Sequence, residues 1–573
     1  MQTIKKYLPF LDWMKSYDRR DFSGDLSAGL TVGVMLIPQG MAYSMLAGLP
    51  PIYGLYASTI PLIIYALLGT SRQLAVGPVA MVALLISAGV APLAEIGSDQ
   101  YVTLAILLAL MVGIFQLMMG VFRLGFVVNF LSHPVISGFT SAAALIIGLS
   151  QLKHLLGVDL GRSKFVHVIL QQAFENLGNI HWPTFILGVV AIGVIIAVKK
   201  INKKIPGPLI AVFLGILAVY FFGLDEGGMK ILKEVPSGLP KLSAPNLDGE
   251  AITSLIPTML AISLVGFMES IAVAKAIQAK HKNYEVVPNQ ELIGLGAANI
   301  LGSFFSSFPV TGGFSRTAVN DQAGARTGLA SIISAVLIIL TLLFLTPLFY
   351  YLPKAILASV IMVAVFGLID FKEAKHLWKN DKRDFAMLFV TFVATLSLGI
   401  EEGILIGVVL SLIMVIYRSA YPHVAKLGQV EGTDQFRNTA RFENAIDRDD
   451  LLIIRPDSQL FFANINYIRD KWDAWEAPKG DQLKCVVFNA KAVNAMDSSA
   501  VHFLEERFHD YKEKGVEFYI SGLRGPLRDY LTKNGFINHL GEERFFSHVN
   551  EAVTYYESNN RSVPQDVTLQ TNG

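Results

Sequence analysis

From Leu26 to Arg418 the chain is a near-continuous succession of apolar runs of about 15 to 22 residues, the length a helix needs to cross the hydrocarbon core of a bilayer. Inside a bilayer each backbone N–H and C=O must find a partner within its own segment or on packed protein, so runs of this kind can fold only as helices against helices. Fourteen such runs are present, at approximately 26–46, 52–69, 74–90, 101–121, 133–150, 182–198, 207–223, 251–270, 290–305, 314–325, 328–350, 353–369, 384–399 and 402–419. Charged residues make up 16% of the chain, well under the roughly 25% of soluble proteins, which points to an α-helical polytopic membrane protein. The 47 basic and 46 acidic residues leave a net charge of +1 and no electrostatic case for nucleic acid. A single cysteine, Cys485, excludes an internal disulfide and any multi-cysteine metal centre. No cofactor, metal ion or nucleophile–base pair is legible, so an enzyme is not expected.

Residues 1–25 carry no apolar core with a small-residue cleavage site and read as a cytoplasmic segment, so the first span acts as the insertion signal. Basic residues gather after even-numbered runs: Arg72, Arg123, the cluster 199–204, then Lys275, Lys280 and Lys282, Arg326, and Lys372 through Arg383. Lys and Arg mark the cytoplasmic side, so both termini are expected there, in a multi-pass protein of the cell inner (plasma) membrane. The transport part is thus 26–420. At Tyr421 the composition changes, and 421–448 reads as a linker. Residues 449–558 have the alternation of a small α/β domain, with strands at 451–454, 459–462, 485–489 and 516–520, and helices at 465–475, 499–514, 527–533 and 549–556. The tail 559–573 lacks apolar periodicity and reads as disordered.

Fourteen spans divide into seven plus seven inverted repeats, which puts spans 3 and 10 at corresponding positions, and both are short or interrupted by Gly and Pro. Span 3 opens with Val76-Gly77-Pro78, and span 10 with the run from Phe308 to Asn320, which includes Gly312, Gly313, Phe314, Ser315 and Arg316. Two helix N-termini facing one another present unpaired N–H groups and partial positive charge, the makings of an anion site. Arg316 opposes the dipole of its own helix and is costly at membrane depth unless an anion offsets it. The alternative is that it snorkels to the cytoplasmic surface. Glu269, in an apolar run at the inner part of span 8, is either a proton-coupling carboxylate or a cap at the cytoplasmic end. In the first case, an anion that engages Arg316 removes the charge compensating Glu269, which then takes up a proton. In span 1, Pro38 is expected to break the helix at mid-depth, with Gln39 and Tyr43 four residues apart on one face, as pocket wall or as a packed kink. Phe314 and Met41 likewise fit a pocket wall or ordinary core. Glu401 and Glu402 read as exposed loop residues.

Taken with the runs Ala47–Tyr56, Gly69–Pro78 and Asn289–Leu292, the Gly302–Phe305 segment and the 308–320 stretch, the chain resembles the SulP sulfate permease/anion transporter family over nearly its whole length. The soluble part resembles the STAS domain that ends such transporters, with Asn494-Ala495-Met496-Asp497-Ser498-Ser499-Ala500 matching its loop-to-helix motif. The resemblance implies fourteen spans as inverted repeats, a core moving against a gate, a homodimer, and a site for sulfate or a similar small oxyanion on Gln39, Tyr43, Val76, Gly77, Phe314, Ser315 and Arg316. It implies proton coupling through Glu269, and, since some bacterial relatives carry a glutamate where Gln39 stands, it argues against a proton site in span 1. The runs around Glu269 and Arg316 look most like proton-coupled sulfate members rather than sodium-coupled bicarbonate ones. Ser498 stands where stand-alone STAS proteins are phosphorylated; a plain N-cap is the other possibility. The expected partners are the oxyanion, protons, the lipid bilayer, a second copy and a cytoplasmic partner of the STAS domain. Bicarbonate, a dicarboxylate or a halide is the alternative cargo, and a membrane-anchored STAS signalling protein the alternative class.

Overall fold

The computed structural model describes residues 8–126, 132–160, 166–201 and 207–560. Residues 202–204 of the basic cluster and 561–573 of the expected tail lie outside them. The chain divides into two compact units, Met1–Ser411 and Leu412–Gly573.

The first unit is helical. Its main helices are α1 (Arg19–Leu46), α2 (Pro51–Tyr56), α3 (Ile60–Leu68), α4 (Ala80–Val90), α5 (Asp99–Val121), α6 (His133–Ser150), α7 (Trp182–Ile201), α8 (Gly207–Phe222), α9 (Gly249–His281), α10 (Pro288–Ser303), α11 (Phe314–Gln322), α12 (Leu329–Leu340), α13 (Lys354–Phe366), α14 (Phe371–Asn380), α15 (Lys382–Leu398) and the first part of α16 (Ile400–Ala420), which continues into the second unit. Every one of the fourteen apolar runs contains helix, and among the described residues nine helical segments are long and apolar enough to cross a membrane. Between α3 and α4 lies β1 (Val76–Gly77), and before α11 lies β2 (Thr311–Gly312).

Small residues let helices meet backbone to backbone, as they must where both surroundings and side chains are apolar. Between α5 and α10, a Cβ added at Gly113 would stand 2.6 Å from the Ile300 nitrogen, and one at Gly296 would stand 2.6 Å from the Leu117 nitrogen. Buried carboxylates tie the loops. Glu291 on α10 accepts from the Tyr65 hydroxyl (2.5 Å), the Thr70 N–H and hydroxyl (both 2.6 Å) and the Ser71 N–H (3.1 Å), which fixes the approach to β1. Asp25 on α1 accepts from the Thr327 hydroxyl (2.5 Å) and the N–H groups of Arg326 and Thr327 (2.7 and 2.9 Å).

Several expectations are corrected. The first helix starts at Arg19, not at 26, because Asp18 and Asp21 form a reciprocal capping box there. It runs unbroken through Pro38, so the expected mid-depth break does not occur; packing on neighbouring helices holds the turn that the proline deprives of a donor. Glu401 and Glu402 belong to α16 rather than to a loop, since its first turn follows directly on Gly399.

The second unit contains an α/β domain. Its sheet runs in the order β4 (Phe436–Asn438), β3 (Val424–Val430), β6 (Leu451–Pro456), β7 (Cys485–Asn489), β8 (Glu517–Ser521) and β9 (Phe545–Phe546), with β5 (Ala445–Ile446) beside β3. β3 pairs antiparallel with β6, whereas β6, β7, β8 and β9 are parallel. The helices are α17 (Ile465–Glu476), α18 (Ser498–Glu513), α19 (Gly525–Lys533) and α20 (Val549–Asn560). One face of the sheet carries Leu452, Ile454 and Phe488 against Trp472 and Phe503, and the other carries Ile453, Val487 and Tyr519 against Ala552 and Tyr556. The stretch 421–448 is therefore not a linker: β3 is a buried member of the sheet, with alternate residues Ala425 and Leu427 inside. Residues 459–462 are not a strand either, and only Leu460 makes an isolated bridge, to Met496.

Candidate functional site

β1 and β2 bring the two interrupted spans together. They pair antiparallel, Val76 opposite Gly312 and Gly77 opposite Thr311, and each leads into a helix, α4 from Ala80 and α11 from Phe314. Neither helix start has a side-chain cap. The first N–H groups of both helices thus lack an intrahelical acceptor by geometry, and two positive dipole ends stand at one crossing. The crossing is knitted further by Gly313 N–H to the Ala75 carbonyl (3.1 Å), Ala75 N–H to the Thr317 hydroxyl (3.0 Å) and the Asn320 amide to the Gln73 carbonyl (2.8 Å).

Arg316 is 1% exposed, so it does not snorkel to water. Its Nη1 donates to the Pro78 carbonyl at the start of the opposing helix, and its Nε and Nη2 are buried with no partner. A Cβ at Gly313 would lie 2.9 Å from Nη2, so glycine there makes room for the guanidinium. Gln39 is also buried, with its Oε1 unpartnered, and Tyr43 is buried one turn further along α1. Phe314 is 57% exposed and Ser315 is exposed, which puts the first turn of α11 at an open surface while Arg316 points inward. Glu269 lies inside α9, about two-thirds of the way along and not at its end; the Phe314 N–H is directed at its carboxylate, and its charge is felt by both Arg316 and Tyr43. All of Gln39, Tyr43, Val76, Gly77, Phe314, Arg316 and Glu269 belong to the first unit, and Arg316 is electrostatically coupled to Tyr43 and Glu269.

Four residues that bind the crossing together carry no role in the sequence reading. Thr311 donates to the Gly266 carbonyl (2.6 Å), so Ser270 donates to the Thr311 hydroxyl (2.7 Å) and itself accepts from Gly312 N–H (2.8 Å). Asn299 accepts from Val310 N–H (2.8 Å) and donates to the Val310 carbonyl (3.0 Å) and to Gln116 (3.2 Å). Gln116 and Asn299 sit inside apolar runs, where an amide is expensive unless it is paired or functional. That was the available signal.

In the second unit Ser498 is exposed and is the first residue of α18. The N-cap is Asp497, whose carboxylate accepts from Ala500 N–H (2.9 Å) and Phe462 N–H (2.8 Å), so the capping role expected for Ser498 is corrected. The acidic side chain takes it because a full charge binds the helix dipole better than a hydroxyl.

The Sulfate permease family model matches residues 22–391, and the STAS domain model matches 444–552. The chain is 41% identical over 579 residues to Sulfate transporter 4.1, chloroplastic, of Arabidopsis thaliana, covering 97% of this chain and 84% of that protein. It is 34% identical to High affinity sulfate transporter 2 of Stylosanthes hamata, covering 96% and 87%. The structure of the murine Solute Carrier 26 family member A9 anion transporter in the inward-facing state is similar with a TM-score of 0.90 and 25% identity, over 97% of this chain and 95% of that one. The transmembrane domain of a cyanobacterium bicarbonate transporter shares the fold alone, at 24% identity and a TM-score of 0.60 over 69% of this chain and 98% of that one.

Proposed function

The chain belongs to the sulfate permease family, and from that premise we propose that it is a secondary active transporter that takes up sulfate together with protons. The observation that carries this is the buried Arg316 guanidinium with two unpartnered nitrogens, beside two helix N-termini. A buried cation with open donors is expensive, and a small oxyanion that accepts from it and from backbone N–H groups offsets the cost. Gln39, Tyr43, Val76, Gly77, Phe314 and Ser315 shape the remaining wall. Sulfate is favoured by the names of the sulfate transporters of Arabidopsis thaliana and Stylosanthes hamata.

Glu269 is the proton carrier in this scheme. When the anion occupies Arg316, the carboxylate loses its compensating charge and gains an anionic neighbour, and a proton restores the balance. Anion and proton then move together, and the return leg proceeds with the Arg316–Glu269 pair self-compensated. The moving body is the group of helices tied to β1 and β2, sliding against a gate in an elevator-like motion, in a homodimer with both termini cytoplasmic in the cell inner (plasma) membrane. Uptake of labelled sulfate by proteoliposomes under an inward proton gradient tests the proposal. Accumulation that exceeds the no-gradient control is the expected result. Accumulation driven by sodium, or displaced by bicarbonate or a dicarboxylate and not by sulfate, overturns it.

A further inference from the structure

The second unit carries a cavity of about 370 Å³ that has no part in the transport scheme. Arg437, Arg441 and Arg455 line it, with His423 and Phe442, and among the described residues Asp457 is the one carboxylate in its wall. That carboxylate is already engaged: Arg455 grips it with Nε (2.7 Å) and Nη2 (3.1 Å), and His423 Nδ1 stands 2.8 Å away. Burial acts to raise the Asp457 carboxyl, but Arg455 and His423 outweigh it and hold it below the ordinary carboxylate range. Arg437 and Arg441 therefore face the same space with no carboxylate of their own in its wall.

The backbone that carries both arginines is fixed, and the Arg437 side chain is held. Asn438 accepts the N–H groups of Arg441 (3.0 Å) and Phe442 (3.1 Å) on its carbonyl and that of Ala440 (2.9 Å) on its side chain, which fixes the turn after β4. Arg437 donates to Gln435 (3.1 Å), and its guanidinium lies 5.4 Å from the centre of the Phe442 ring. A guanidinium fixed beforehand, as that of Arg437 is, loses little entropy when it closes on a planar or tetrahedral oxyanion, and a second beside it suits the paired oxygens of a phosphate. Position adds a second argument. His423 is three residues past Ala420, the end of α16, so the wall begins at most about 10 Å of chain from the last membrane helix. A basic wall tethered this near in sequence to a membrane helix has anionic headgroups within its reach.

We propose that this cavity binds a phosphorylated ligand, a lipid headgroup or a soluble phosphate compound, through Arg437 and Arg441. The full-length protein in detergent is titrated with inorganic phosphate and with adenosine monophosphate. In parallel it is reconstituted into phosphatidylcholine nanodiscs with and without phosphatidic acid, and bound lipid is measured. At least one arm is expected to show binding by the parent that weakens at least tenfold in the R437Q/R441Q double variant and less in R437K/R441K, which keeps the charge. Loss confined to the phosphatidic acid arm identifies a lipid headgroup, and loss in the detergent arm identifies a soluble phosphate. Binding that R437Q/R441Q retains in full, with unfolding temperature unchanged, overturns the proposal, as does no binding in any arm.

Discussion

The two junctions that meet at β1 and β2 have alike backbones and unlike side chains. Both N-caps, Val79 and Gly313, are extended, and neither carries a side-chain cap. The helix that follows Val79 begins Ala-Met-Val-Ala and brings no charge; the one that follows Gly313 begins Phe-Ser-Arg-Thr and brings a buried cation. The positive dipole ends come from the backbone and are common to both sides, whereas the full charge comes from one side only. In the proposed function such a site draws an anion to the crossing symmetrically but holds it from α11. The α4 side contributes shape.

That asymmetry can be broken or sharpened by experiment. The largest expected effect is on Arg316→Ala, which should lower kcat/KM for sulfate uptake about 100-fold or more, the worth of a charge-assisted contact in a buried site. The matching change on the other side, Val76→Ala, should cost less than tenfold, and equal losses would refute the division of roles. Next, Glu269→Gln should abolish stimulation of uptake by an inward proton gradient while sulfate-for-sulfate counterflow persists; unaltered stimulation would remove Glu269 from the proposed coupling. Smaller still, Asn299→Ala leaves the Val310 N–H and carbonyl unpaired, at about 1 to 3 kcal/mol. It should lower the unfolding temperature and raise KM with little change in proton dependence, because the crossing loosens without losing its charge.

The smallest effect lies in the second unit and serves as the contrast, because ion pairs in water behave unlike those in the membrane. Burial acts to raise the Asp447 carboxyl, but Lys426 and Lys479 outweigh it and hold it below the ordinary range. A carboxyl depressed on folding stabilises above its unfolded value and loses that contribution as pH falls through the folded one. Asp447→Asn should therefore flatten the drop in unfolding temperature between pH 7 and pH 3 by roughly 1 °C, since solvent partly screens a carboxylate that is 34% exposed. A flattening many times larger would mean that the buried Lys479 shields the carboxylate from that screening.

Much of this molecule was legible in its sequence, for definite reasons. Helices in a bilayer announce themselves by length and hydropathy, and so all fourteen runs contain helix. The two interrupted spans were visible because Gly77, Pro78, Gly312 and Gly313 have no business inside an apolar helix. Pro38 misled because a proline reads the same whether it breaks a helix or merely bends one that its neighbours support. β3 was missed because Val424–Val430 mixes Lys, Gly and Gln with its apolar residues, so its membership of the sheet rests on pairing with β6, more than twenty residues away. Asn299, Ser270 and Thr311 were missed for the same kind of reason, since a polar side chain acquires its role only when a distant backbone group comes within 3 Å.

What the sequence determined by itself was the class of the chain and the charge it would carry at the interrupted span. Those follow from composition and from the cost of a cation in hydrocarbon, which are local quantities. What the tertiary structure decided was that Arg316 is buried rather than snorkelled, that its free nitrogens stand where two helix ends converge, and that Glu269 lies inside α9 within reach of its charge. Each depends on residues more than forty or two hundred positions apart being brought together by the β1–β2 pairing, and no local pattern encodes that contact.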